Sequence, residues 1–127
     1  MKIKEIDIFD EYATVWKETV LEAAKIMKEK NVPDLILIDE NDKPLGIISA
    51  VDIIVKVVAE EKDPKEIAIS SISRKVKAFN ENATIEEIFE YMINTDNEIV
   101  PIIRENGKLF GVCTIGDVLL KVREAEE

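Results

Sequence analysis

The sequence predicts an α+β protein made of two copies of one small unit, each running strand, helix, strand, strand, helix. Three observations carry this prediction. Displaced by 65 residues the chain aligns with itself without a gap: Ala13, Gly46, Asp52, Lys56 and Val57 meet Ala78, Gly111, Asp117, Lys121 and Val122, and Ser49 meets Thr114. A Thr-x-x-Glu phrase opens an apolar 3.6-period stretch at the same place in each half. Short aliphatic runs flanking polar turns then recur in the same order. The predicted boundaries are a first unit with its N-terminal segment over residues 1–62, a connector over 63–76 broken at Asp63-Pro64, and a second unit over 77–127.

Each element follows from local chemistry. YATV and KAF are short extended pieces ahead of each helix. Thr19-x-x-Glu22 and Thr84-x-x-Glu87 are capping-box starts, in which hydroxyl and carboxylate satisfy backbone N–H groups reciprocally. Ala23, Ala24, Ile26 and Met27, with Ile88, Phe89 and Met92, supply the apolar faces, and the helices end near Lys30 and Thr95. LILI and IVPII suit buried strands, DENDKP and RENGK are turns, and Asn106-Gly107 is the strongest hairpin signal in the chain. PLGIIS and LFGVCT are the return strands. After Asp52, IIVKVV is β-branched and reads locally as strand. Its repeat partner, VLLKVREAEE, is plainly helical, so both copies are predicted to be helix.

Composition narrows the function. The 127 residues have an ordinary apolar fraction of 46%. No apolar run approaches the ~18 residues of a membrane span, and the N-terminus lacks a signal-peptide core, so the protein is expected in the cytoplasm. With no histidine and one cysteine, Cys113, serine–histidine and cysteine–histidine catalysis lack their base. A zinc, haem or iron–sulfur cofactor is not expected either. The balance of 27 acids to 17 bases, net −10, repels nucleic acid and anionic membranes.

The repeated phrase G-x-x-[S/T]-x-x-D is the candidate site. Ser49-x-x-Asp52 and Thr114-x-x-Asp117 fit simple helix caps. Against that reading, both use Asp where the other helices use the longer Glu, and both carry a strand glycine, Gly46 or Gly111, as if something approached the backbone. The alternative is a nucleotide clamp. A carboxylate accepts hydrogen bonds from vicinal ribose hydroxyls, a hydroxyl at a helix N-terminus sits where phosphate is favoured, and glycine leaves room for base or sugar.

The element order and the doubled phrase resemble a pair of cystathionine-β-synthase (CBS) domains, the tandem called a Bateman module, over roughly residues 8–125. The resemblance implies two units packed about a pseudo-twofold axis through small three-stranded sheets. It implies a non-enzymatic regulatory module that binds an adenosine-containing ligand (AMP, ADP, ATP or S-adenosylmethionine) in clefts between the units and signals to a protein partner. By position, Asp52 and Asp117 would hold ribose and Ser49 and Thr114 would face phosphate. Ala13, Thr14, Val15, Ala78 and Phe79, with Leu35, Ile36, Val100 and Pro101, would wall the base. The negative net charge favours AMP or S-adenosylmethionine over ATP. A homodimer is expected because the helices after Asp52 and Asp117 carry more apolar residues than one face can bury. The competing expectation is a ligand-free structural or dimerisation module. Lys56 and Lys121 read as solvated lysines, and Arg74 and Lys75 as connector cations with a phosphate contact as the less favoured role. Trp16 reads as core edge, with a partner contact as the less favoured role, and nothing pairs Asp7, Asp10 and Glu11 with a nucleophile.

Overall fold

A computed structural model of the chain describes Lys2 and residues 12–126, apart from the side chains of residues 125 and 126. The acidic group Asp7, Asp10 and Glu11 lies outside the described residues. Two compact units are formed, one by residues 12–75 and the other by the residues from Val76 on, with which Lys2 pairs through a bridge to Thr84.

The first unit is β1 (Thr14–Val15), α1 (Val20–Lys30), β2 (Asp34–Ile38), β3 (Pro44–Ser49) and α2 (Ala50–Ile53), which continues as a π-helical turn over Ile54–Val58. β2 is central, parallel to β1 and antiparallel to β3, with Leu35 opposite Ile48 and Leu37 opposite Gly46. Thr19 caps α1 with the reciprocal box expected, its hydroxyl accepting from Glu22 N–H and the Glu22 carboxylate accepting from Thr19 N–H. Asn31, left-handed at φ 54°, closes the helix. Alternation along the strands sends Leu35, Leu37 and Ile48 into a core with Val20, Ala23, Ile53 and Val57. Ile36 and Ile47, equally buried, lie on the other sheet face. The helix after Asp52 is real. Val57 and Ile53 reach the core only if the segment coils, and this tertiary anchor outweighs the β-branched propensity.

The second unit repeats the plan with β4 (Phe79–Asn80), α3 (Ile85–Thr95), β5 (Ile99–Ile103), β6 (Leu109–Thr114) and α4 (Ile115–Glu126). Phe79, Ile85, Ile88, Met92, Val100, Ile102, Cys113 and Val118 form its core. Thr84 caps α3 by accepting from Glu87 N–H. Gly107, at φ 83°, turns the β5–β6 hairpin as Asn106-Gly107 predicts.

The gapless alignment fails at the first strand. Val15 pairs with Leu37, yet Phe79, not Asn80, pairs with Ile102. Phe79 therefore stands where Val15 stands, one residue short of the repeat offset, and both are buried. Ile36 N–H donates to the Ala13 carbonyl at 3.0 Å, a bond with no counterpart at Pro101, which has no N–H. The shifted register places apolar Phe79, in the stead of polar Asn80, in the buried position. The spare residue is taken up by a turn at Asn80, whose side chain accepts from Asn82 N–H.

The stretch read as a connector is part of the first unit. Val20 N–H donates to Ile67 O, Leu21 N–H to Pro64 O and Ile69 N–H to Glu18 O, while Ile69 and Ile72 are buried in the first core. This strap ends with Arg74 exchanging two backbone hydrogen bonds with Ile47, both 2.9 Å.

Candidate ligand-binding site

Each copy of the repeated phrase straddles a strand end and a helix start. Ser49 closes β3 opposite Asp34, and Ala50 N–H donates to Pro33 O at 2.8 Å. In the second copy Thr114 closes β6 opposite Ile99, and Ile115 N–H donates to Glu98 O at 2.8 Å. These bonds hold the two helix starts against the beginning of β2 and of β5, so the backbone sets where hydroxyl and carboxylate stand.

In the first copy the aspartate forms the reciprocal cap that its short side chain argued against. Asp52 N–H donates to Ser49 Oγ at 3.0 Å, and Ser49 N–H donates to Asp52 Oδ2 at 2.9 Å. Asp52 is only 8% exposed and two cations converge on it. Arg74 Nε donates to Oδ2 at 3.0 Å, and Lys56 Nζ lies 3.6 Å from Oδ1. Burial pushes the Asp52 carboxyl up, but the Ser49 N–H and the Arg74 guanidinium outweigh it and hold the group below its ordinary value of 3.8. Lys56 is not simply solvated, since it also donates to the Ile72 carbonyl at 3.2 Å.

The second copy is organised differently. Thr114 Oγ1 donates to Asp117 Oδ2 at 2.8 Å and accepts from Asp117 N–H at 3.3 Å. Among the described residues no cation pairs with Asp117, and Lys121, the counterpart of Lys56, pairs with Glu124 at 3.3 Å. Both Thr114 and Asp117 are half-buried.

The glycine of the first copy has a concrete reason. A Cβ at Gly46 would lie 2.5 Å from the Arg74 carbonyl oxygen. What approaches this strand is the protein's own strap, and the space is not held open for a base.

The expected walls divide by sheet face. Ala13, Val15, Leu35, Phe79 and Val100 point into the helix-covered cores, where packing occupies their side chains. Phe79 meets Tyr91 edge-on at 5.4 Å and carries Lys77 Nζ at 4.8 Å from its ring. Thr14, Ile36, Ala78 and Pro101 are the wall residues outside these clusters, Thr14 and Ala78 being half-exposed. Trp16 is 43% exposed, with Lys17 Nζ 4.5 Å from its ring. A shallow groove of about 300 Å³ lined by Lys77, Phe79, Glu87, Glu90, Tyr91 and Asn94 shares only Phe79 with the expected site. Cys113 is buried beside Asp117; burial and that negative charge push its thiol up to about 12. The Arg74–Asp52 pair had no signature in the sequence, because its partners stand 22 residues apart and Arg74 lies outside the repeat match. Only the spacing of Ile67, Ile69 and Ile72 hinted that the connector was packed.

The chain belongs to the CBS-domain family, whose pattern matches residues 4–59 and 65–124. It is a tandem pair of such domains. An uncharacterized protein of Methanopyrus kandleri is 34% identical over 103 residues, 80% of this chain and 53% of that one, so the chain spans about half of that relative's length. Inosine-5'-monophosphate dehydrogenase of Methanocaldococcus jannaschii is 29% identical over 93% of this chain, but the match covers 23% of the enzyme. Among solved structures, Hypoxic Response Protein I with two coordinated zinc ions has a TM-score of 0.83 at 25% identity, covering 94% of this chain and 98% of that one. A hexameric CBS-CP12 protein from bloom-forming cyanobacteria has a TM-score of 0.81 at 28% identity, over 99% and 73%. CBSX2 in complex with AMP has a TM-score of 0.78 at 18% identity, over 99% and 98%, a likeness of fold alone. Among the described residues, no group of three or more His, Cys, Asp or Glu side chains could hold a metal ion, and no helix is long and apolar enough to cross a membrane.

Proposed function

We propose that this CBS pair is a regulatory module, without catalytic activity of its own, that binds an adenosine-containing ligand and signals its occupancy to a protein partner. The observation that carries this reading is the Thr114–Asp117 pair. A half-buried hydroxyl and carboxylate, 2.8 Å apart, stand at the head of the 12-residue helix α4 with no competing cation among the described residues. An aspartate so placed can accept from two ribose hydroxyls, and the helix head favours an anion beside Thr114. In this unit, Ala78 and Pro101 are the expected wall residues that lie outside its core cluster. That CBSX2 holds AMP on the same fold lends support without assigning these residues.

The net charge of −10 sets the order of preference, with AMP or S-adenosylmethionine bound more tightly than ATP. A ligand of the native state raises the melting temperature in proportion to the logarithm of its concentration over Kd. A thermal-shift series followed by calorimetry with AMP, S-adenosylmethionine and magnesium-free ATP tests the proposal. Binding of AMP ahead of ATP is expected, whereas no shift with any adenosine compound would return the motif to its second reading. In that reading the phrase only caps helices in a structural module, as the Ser49–Asp52 box does.

A further inference from the structure

The two copies of the motif are not equivalent, and the difference lies in one residue of the strap. We infer that Arg74 is a latch: it binds Asp52 to fasten the strap to the first unit, and by doing so withdraws Asp52 from ligand binding, leaving Asp117 as the carboxylate that recognises the ligand. The second half of this inference rests on the proposed adenosine reading; the first half does not.

The latch has several ties. Arg74 is held through its backbone by the paired bonds to Ile47 and through its side chain by Asp52 Oδ2. Lys56 joins the same assembly by reaching both Asp52 and the Ile72 carbonyl two residues upstream in the strap. Lys56 lies in the π-helical turn Ile54–Val58. Gly46 completes the fit by allowing the Arg74 carbonyl against β3. Both carboxylate oxygens of Asp52 thus face cations of the chain itself. For a ribose to use them, a neutral diol would have to displace a guanidinium from a nearly buried carboxylate, exchanging a charge-assisted bond for an ordinary one. No such exchange is needed at Asp117.

The test uses the full-length chain and the variants Asp52→Asn, Arg74→Met and Asp117→Asn. Asparagine at position 52 can still accept from Ser49 N–H, so this change removes the charge and keeps the cap. Amide exchange at Ile47 and Arg74 is expected to quicken about tenfold or more in Asp52→Asn and Arg74→Met, and to stay at the parent rate in Asp117→Asn. Unchanged exchange in both latch variants overturns the latch. Calorimetry with AMP should give one site per chain in the parent, affinity within about twofold of the parent for Asp52→Asn, and a loss of about tenfold or more for Asp117→Asn. Two sites per chain, or equal losses in the two aspartate variants, overturns the assignment of the ligand to Asp117. If the parent binds no AMP, the adenosine reading and that assignment fall together, and the exchange data alone decide the latch.

Discussion

A methyl group at position 46 has nowhere to go. Placed 2.5 Å from a backbone carbonyl oxygen, it must push the strap off β3 or bend the strand, and neither can yield as a flexible side chain would. Gly46→Ala is expected to cost about 1–3 kcal/mol, seen as a lower midpoint in denaturant and faster tryptic cleavage near Arg74. Unchanged stability would mean that the strap is not seated on the strand. Asp52 gives a prediction in pH. Its folded pKa lies below its ordinary value of 3.8, so its stabilisation is complete above that value and is lost as pH falls through the folded pKa. Parent and Asp52→Asn should therefore differ in stability at neutral pH and converge below pH 3.8, as followed by acid unfolding. Cys113, buried and pushed up to about 12, should be inert to a thiol reagent at pH 8 until the protein unfolds. Stoichiometric labelling of the native chain at that pH would show the second core to be open.

At the scale of elements, the strap is where expectation and structure part. A connector with three serines, several charged residues and a Pro looks like a linker, and half of its residues are indeed exposed. Its three isoleucines are what bind it. Ile69 is fully buried against α1 and the first sheet, so Ile69→Ala should destabilise the protein by about 2–5 kcal/mol, measured by urea unfolding. A true linker residue would cost almost nothing. The segment after Asp52 teaches the converse lesson. Its residues favour strand when taken singly, but Ile53 and Val57 fall on one side of a helix and lock into the core. Val51, Ile54, Val55 and Val58 of that helix remain exposed.

Those exposed residues set the expectation for the whole molecule. Val51, Ile54, Val55 and Val58 are each more than half exposed, and in the second unit Leu119 and Leu120 repeat the pattern of Ile54 and Val55. Aliphatic surface of this kind, carried by the helix after Asp52 and again by α4, sets an expectation of self-association. Sedimentation at micromolar concentration should show a dimer or higher species, and Ile54→Lys with Leu120→Lys should shift it toward monomer while leaving the far-ultraviolet circular dichroism unchanged. A parent that sediments as a monomer would leave this surface for another partner.

The chain's own repetition determined the most. Two copies of one pattern settle the order of the elements, the caps at Thr19 and Thr84, the turn at Gly107 and even a helix that local propensity denies, because each copy reports on the other through short-range spacing. The hydroxyl and aspartate pairs were legible for the same reason. Tertiary structure alone decided what those pairs touch. The one-residue shift of β4 shows only in which residue pairs with Ile102, the seating of the strap depends on where three isoleucines find room, and the Asp52–Arg74 pair joins residues of no shared period. Spacing in sequence encodes neighbours along a helix or strand; which charge meets a buried carboxylate across the chain is settled only when the backbone has folded and brought them within hydrogen-bonding distance.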